Sequence, residues 1–97
     1  MRVEWDPKKE HANRPKHGLS FDEVRALFEG DADYLVIYDE QHSEDEDRFI
    51  AIGTIGKGVV TVVHTEPSEA TVRIISARMA TRAERELFYA HSGGRRR

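Results

Sequence analysis

The sequence predicts an α+β domain of order β-α-α-β-β-β-β-α, with helices packed on one face of a mostly antiparallel sheet. Three observations carry that expectation. Before Gly30 the chain holds two segments opened by helix-capping signals, Asp6-Pro7 and Ser20 with Glu23. After Gly30 come four runs rich in β-branched and aromatic residues, divided by turn-forming or strongly polar stretches. The last run passes directly into an amphipathic segment with its own capping box, Thr81 with Glu84.

Taken in order, Val3 to Trp5 reads as a short opening strand. Asp6 as N-cap and Pro7 at the first helical position then start a helix toward Lys16, with Gly18 just beyond it as a left-handed cap. Pro15 conflicts with that reading, since an interior proline costs about 3 kcal/mol, so the helix is expected to stop near Asn13 or to kink. Ser20 and Glu23 open a second helix through Glu29, whose buried stripe is Phe21, Val24, Leu27 and Phe28. Strands are expected at Tyr34 to Tyr38, Arg48 to Ile55, Val59 to His64 and Val72 to Ala77. The Gly56-Lys57-Gly58 turn and the Pro67 to Ala70 loop permit antiparallel hairpins, and the acidic loop Asp39 to Asp47 is too polar to be buried. Alternation in the last strand places Val72, Ile74 and Ser76 on one side and Arg73, Ile75 and Ala77 on the other. The final helix presents Ala80, Ala83, Leu87 and Phe88 inward.

Ninety-seven residues suit one domain, expected over residues 1–91, followed by a disordered basic tail over residues 92–97. The absence of cysteine excludes a disulfide framework, a thiolate nucleophile and a cysteine-based zinc site. The opening MRVEWDPKKE is neither a signal peptide nor a membrane span, which points to a cytoplasmic protein without a membrane partner. The net charge of −3 hides an uneven distribution: two basic ends flank an acidic middle, in which Arg25 is the one basic residue between Asp22 and Asp47.

The five histidines lack the close helical spacing of a zinc motif, and the acidic loop lacks the pattern of a calcium site, so no metal or cofactor is expected. Phosphate-loop and serine-elbow motifs are missing as well. What remains is cationic: Lys16, His17, Arg48, His64, Arg73 and Arg78 sit on strands or at element ends that can become neighbours. Such a set can bind a phosphodiester and stabilise added negative charge, with a histidine moving a proton. The alternative is structural. The arginines would then pair with the acidic middle segment, and His64 would be a half-buried strand histidine.

The runs EWDPKKEHANRPKHGLSFDE, DEQHSEDEDRFIAIGTIGKGVVTVVHTE and VRIISARMATRAERELFY resemble the BrnT-type toxin family over Val3 to Tyr89. The resemblance rests on Trp5-Asp6, Asn13, Lys16-His17-Gly18 with Ser20-Phe21, Asp47-Arg48-Phe49, His64-Thr65, and Arg73 through Arg78 with Thr81, Glu84 and Arg85. It implies a compact RelE-like fold and a toxin that cleaves RNA, free or on the ribosome, and so inhibits translation. It also implies a BrnA-type antitoxin with a ribbon-helix-helix domain, through which the pair reaches operator DNA. Carried over residue by residue, it gives His64, Arg73, Arg48 and His17 to catalysis, and Lys16, Arg78 and Arg85 to RNA binding; the lack of a metal motif beside these fixed cations makes a metal-independent endoribonuclease the expected enzyme. The alternative within the same resemblance is an inactive module that binds the antitoxin and serves as co-repressor.

Overall fold

The structure is a computed structural model and describes residues 1–92. The tail from Gly93 to Arg97 lies outside the described residues. Strand β1 (Arg2–Trp5) leads into helices α1 (Pro7–His17) and α2 (Phe21–Glu29). Strands β2 (Tyr34–Tyr38), β3 (Arg48–Ile55), β4 (Gly58–Ser68) and β5 (Thr71–Met79) follow, then α3 (Arg82–His91). The five strands form one sheet in the order β1-β5-β4-β3-β2. All neighbours are antiparallel except β1 and β5, which run parallel with Glu4 opposite Arg73. The α+β class and the order of elements agree with the sequence reading.

Each helix begins where a side chain satisfies an otherwise orphaned backbone donor. Asp6 Oδ1 accepts from Lys8 N at 2.9 Å, and Ser20 Oγ and Thr81 Oγ1 accept from Glu23 N and Glu84 N at 3.1 and 3.2 Å. Gly18, at φ 68°, ends α1 in the left-handed region and donates to Arg14 O at 2.8 Å. Helix α1 continues through Pro15 to His17. The donor that proline lacks would have met the carbonyl of His11, and both residues lie on the exposed side of the helix.

The main core lies between α2 and one face of the sheet. Phe21, Val24, Leu27 and Phe28 pack there against Ala51, Val60, Val62, Val72, Ile74 and Ala77. Gly53 allows this approach, because a Cβ in its place would sit 2.8 Å from Tyr34 Cβ and clash with the tip of Leu27. The second core lies on the opposite face, where α3 sets Ala80 and Phe88 over Ile52 and Val59. The expectation that helices share one face therefore does not extend to α3, and α1 sits at the β5 edge through Asn13. The reason is visible in β3, whose alternate residues Ala51 and Ile52 are both apolar and belong to different cores. The inner stripe of α3 is also narrower than expected: Ala80 and Phe88 are buried, whereas Ala83 is exposed and Leu87 is 51% exposed.

A bulge in β5 decides which side chains share a face. Val63 pairs with Ser76 and His64 with Ile74, so Ile75 has no counterpart on β4. The extra residue reverses the alternation beyond it. Ala77, rather than Ser76, then points into the α2 core with Val72 and Ile74, which corrects the simple alternation read from sequence. By the same shift Arg73, Ser76 and Arg78 share the other face.

Past Ile74 the edge of β5 has no further partner on β1, and α1 takes that place through Asn13. Its amide donates to Ala77 O at 2.9 Å and to Leu19 O at 3.3 Å, and its carbonyl oxygen accepts from Ala77 N at 3.1 Å. One buried side chain thus imitates the next strand. Asn13→Ala leaves several buried backbone groups unpaired and is expected to cost about 2 kcal/mol. Urea unfolding should show a lower midpoint with an unchanged slope. A midpoint equal to that of the wild type would show that α1 is held by other means.

Candidate nucleic-acid interface

The face of the sheet away from α2 carries a row of four residues in register across four strands: Arg48 on β3, Thr65 on β4, Arg73 on β5 and Glu4 on β1. A cleft opens along this row, lined by Arg48, Arg73, Trp5, Lys9 and Ile75 together with Glu4, Asp6 and Glu46. A second cleft continues from it between α1 and β5, lined by Lys9, Ala12, Asn13, Lys16, His17, Ile75 and Ser76. Lys9 and Ile75 line both, so the two clefts adjoin. The β5 bulge places Ile75 at their junction, and Asn13 holds α1 at the right distance to form the far wall.

The cations of the groove differ in what holds them. Arg73 Nε and Nη2 both reach Glu4 Oε2 at 2.8 Å, an arrangement that orients the guanidinium while the side chain as a whole stays 42% exposed. Arg48, Lys9 and Lys16 have no carboxylate partner among the described residues. Arg48 is anchored instead through its backbone: its N–H donates to Ser43 Oγ at 2.9 Å, and its carbonyl accepts from Asp39 N at 2.8 Å. Unpaired cations gathered in one concavity raise the local concentration of anions and leave donors free for phosphate oxygens. Glu46 of the acidic middle segment lines the cleft beside Arg48, but no side chain of that segment makes an ion pair with Arg48 or Arg73 among the described residues. Arg73 finds its partner in Glu4 and Arg78 in Glu84, neither of which belongs to that segment.

Two of the expected RNA-binding residues stand apart from the groove. Arg78 makes a two-pronged pair with Glu84, Nη1 to Oε1 at 2.7 Å and Nη2 to Oε2 at 2.8 Å. Glu84 also accepts from Thr81 N at 2.8 Å and Thr61 Oγ1 at 3.0 Å, so this carboxylate joins β4, β5 and the start of α3. The Arg78 guanidinium, helped by the Thr81 backbone and the Thr61 hydroxyl, holds the Glu84 carboxyl down at about pKa 2. A lowered carboxyl pKa stabilises the fold above about pH 4.5, and that contribution fades as pH falls toward 2. Arg85 turns its Nη1 onto Ala80 O at 3.0 Å.

His64 points the other way. It is 1% exposed on the α2 side of the sheet, with Phe28 at 5.1 Å edge-on and Phe49 stacked at 5.7 Å between centroids. Nε2 lies 3.0 Å from Glu66 Oε2. Burial pushes its pKa below the ordinary histidine value despite the opposing pull of Glu66. The groove therefore contains Arg48, Arg73, Lys16 and His17 of the sequence-derived set, and it does not contain His64, Arg78 or Arg85.

Two further residues with basic side chains line these clefts or a neighbouring pocket. Lys9 stands four positions before Asn13 and seven before Lys16, so helical periodicity alone puts it on the groove face. His42 carried no such signal. The folded acidic loop brings it beside Arg48 in a shallow pocket, with Nδ1 2.9 Å from Asp39 Oδ2. No group of three or more His, Cys, Asp or Glu side chains that could hold a metal ion occurs among the described residues. No helix among them is long and apolar enough to cross a membrane.

The fold and the groove together define a small α+β protein with adjoining clefts on one side of its sheet, where Lys9, Lys16, Arg48 and Arg73 stand beside Glu4, Asp6 and Glu46. Over residues 5–84 the sequence matches the family described as "Ribonuclease toxin, BrnT, of type II toxin-antitoxin system". The chain belongs to that family of ribonuclease toxins, whose members are paired with an antitoxin. Its structure is similar to the crystal structure of the Brucella abortus ribonuclease toxin, BrnT, with a TM-score of 0.66 and 28% sequence identity. That similarity covers 84% of this chain and 99% of the Brucella chain. No curated protein sequence matches the chain.

Proposed function

We propose that the groove is the phosphodiester site of a metal-independent endoribonuclease, and that RNA lies along it from Arg48 and Arg73 past Lys9 toward Lys16 and His17. The observation that carries this reading is the adjacency of the two clefts combined with the lack of a carboxylate partner for Arg48, Lys9 and Lys16 among the described residues. In the reaction the RNA 2′-hydroxyl attacks its own phosphorus, and the bond to the 5′-oxygen of the next nucleotide breaks. A 2′,3′-cyclic phosphate and a free 5′-hydroxyl result. Arg48 and Arg73 neutralise the charge that accumulates on the non-bridging oxygens, and Lys9 and Lys16 hold the neighbouring backbone. His17, exposed on the groove wall, transfers the proton. Arg78 and Arg85 serve the strand-to-helix joint, and His64 serves the core.

The same reading assigns the inhibitor. A BrnA-type antitoxin with a ribbon-helix-helix domain would lay acidic side chains into the groove, block RNA and carry the toxin to operator DNA. The proteins would meet in the cytoplasm.

The test is incubation of structured RNA with purified protein and a chelator, with and without ribosomes. Fragments ending in 2′,3′-cyclic phosphate are expected, and added antitoxin should stop their formation. Fragments that form only after a divalent ion is returned would overturn the metal-independent mechanism. Folded protein that leaves RNA intact under every condition, yet binds antitoxin, would replace the enzyme by a co-repressor module. Cleavage that continues in the toxin–antitoxin complex would remove the groove as the inhibited surface.

A further inference from the structure

Thr65 is buried at 1% exposure, and its hydroxyl has no hydrogen-bond partner among the described residues. A buried hydroxyl without a partner costs free energy that a methyl group of the same shape would not. Its position gives that cost a use. Thr65 pairs with Arg48 on one side and Arg73 on the other, and cross-strand partners project from the same face of a sheet. Thr65 therefore stands midway along the row between two arginines, Arg48 without a carboxylate partner among the described residues and Arg73 held by the single Glu4 oxygen Oε2.

We propose that the Thr65 hydroxyl is the third donor of an oxyanion site for a phosphate group, completing a set with Arg48 and Arg73. This deepens the ribonuclease reading and rests on it for the identity of the natural ligand. In the free protein Glu4 supplies the anion that Arg73 requires. An entering phosphate replaces that carboxylate, draws both guanidiniums to its oxygens and accepts a hydrogen bond from Thr65 Oγ1. The three donors come from three adjacent strands, so the site is built on rigid backbone rather than on loops.

The test uses Thr65→Val, which keeps the branched shape and removes the hydroxyl, with Thr65→Ser as the variant that retains it. Inorganic phosphate is titrated against each protein while thermal unfolding is followed. A non-cleavable oligonucleotide with a 2′-deoxy sugar at the scissile position is titrated in parallel, and cleavage of normal RNA is timed. Without phosphate, Thr65→Val should unfold at the wild-type temperature or above it. Its affinity for phosphate and oligonucleotide should fall about tenfold, the usual effect of losing one hydrogen bond to a charged group, and cleavage should slow at least as much. Thr65→Ser should recover most of that loss. Equal affinity and rate in Thr65→Val and wild type would overturn the inference while leaving the ribonuclease reading in place. A lower unfolding temperature for Thr65→Val without phosphate would overturn it by showing that the hydroxyl serves the fold. Phosphate binding that depends on Thr65 in a protein that leaves RNA intact would uphold the site and overturn only the ribonuclease reading.

Discussion

Replacing Arg48 by alanine is expected to slow RNA cleavage by about 10²- to 10³-fold, the range found when one preorganised oxyanion donor is removed. The same replacement should leave thermal stability nearly unchanged. Both expectations have one cause: the guanidinium has no carboxylate partner among the described residues, while the backbone of Arg48 is held independently by Ser43 and Asp39. On the proposed reading, this side chain, in register with Arg73 across Thr65, is there for a ligand rather than for the fold. Arg48→Lys should recover only part of the rate, because an ammonium cannot offer the guanidinium's two parallel donors. Single-turnover cleavage and a melting curve on the same preparations decide the matter. A variant that melts with the wild type and cleaves as fast would remove Arg48 from the site.

His64→Ala should act in the opposite sense, lowering stability by about 3 kcal/mol through the cavity left between Phe28 and Phe49. For a domain of this size that corresponds to a fall in unfolding temperature of roughly 15 °C. His64→Phe fills the same space and should fold well, and its cleavage rate per folded molecule should equal that of the wild type. The two proteins should also differ in pH dependence. Because burial lowers the folded-state pKa of His64, the unfolded chain binds the proton more readily below about pH 6.5. Stability contributed by the neutral imidazole is thus complete above that pH and declines as pH falls through it, an effect His64→Phe lacks. Melting curves between pH 5 and 8 provide the measurement. A well-folded His64→Phe protein that no longer cleaves RNA would return the imidazole to the chemistry.

The contrast between Arg48 and His64 also marks the limit of reading the site from sequence. Both stand on strands among apolar residues, and both belong to the motifs that link the chain to its family. Alternation alone says that His64 and Thr65 face opposite ways, but it cannot say which face is covered by α2 and which is open. Phe21, Val24, Leu27 and Phe28 needed a sheet to pack on, and the small residues Ala51 and Gly53 admitted them to the side on which His64 lies. The cationic row was left on the other.

What the sequence by itself determined is local or periodic: the caps at Asp6, Ser20 and Thr81, the left-handed end at Gly18, the stripe of α2, the bounds of β2 and β3, and the family. Each depends on interactions within a few residues or on one repeating pattern, which the chain carries wherever it folds. The tertiary structure alone decided the rest. The Ile75 bulge turned Arg73 and Arg78 to one face, α3 went to the side opposite α2, Glu84 engaged Arg78, and Lys9 joined Arg48 across the groove. These results depend on register and on pairings between distant segments, where a shift of one residue moves a side chain to the other face.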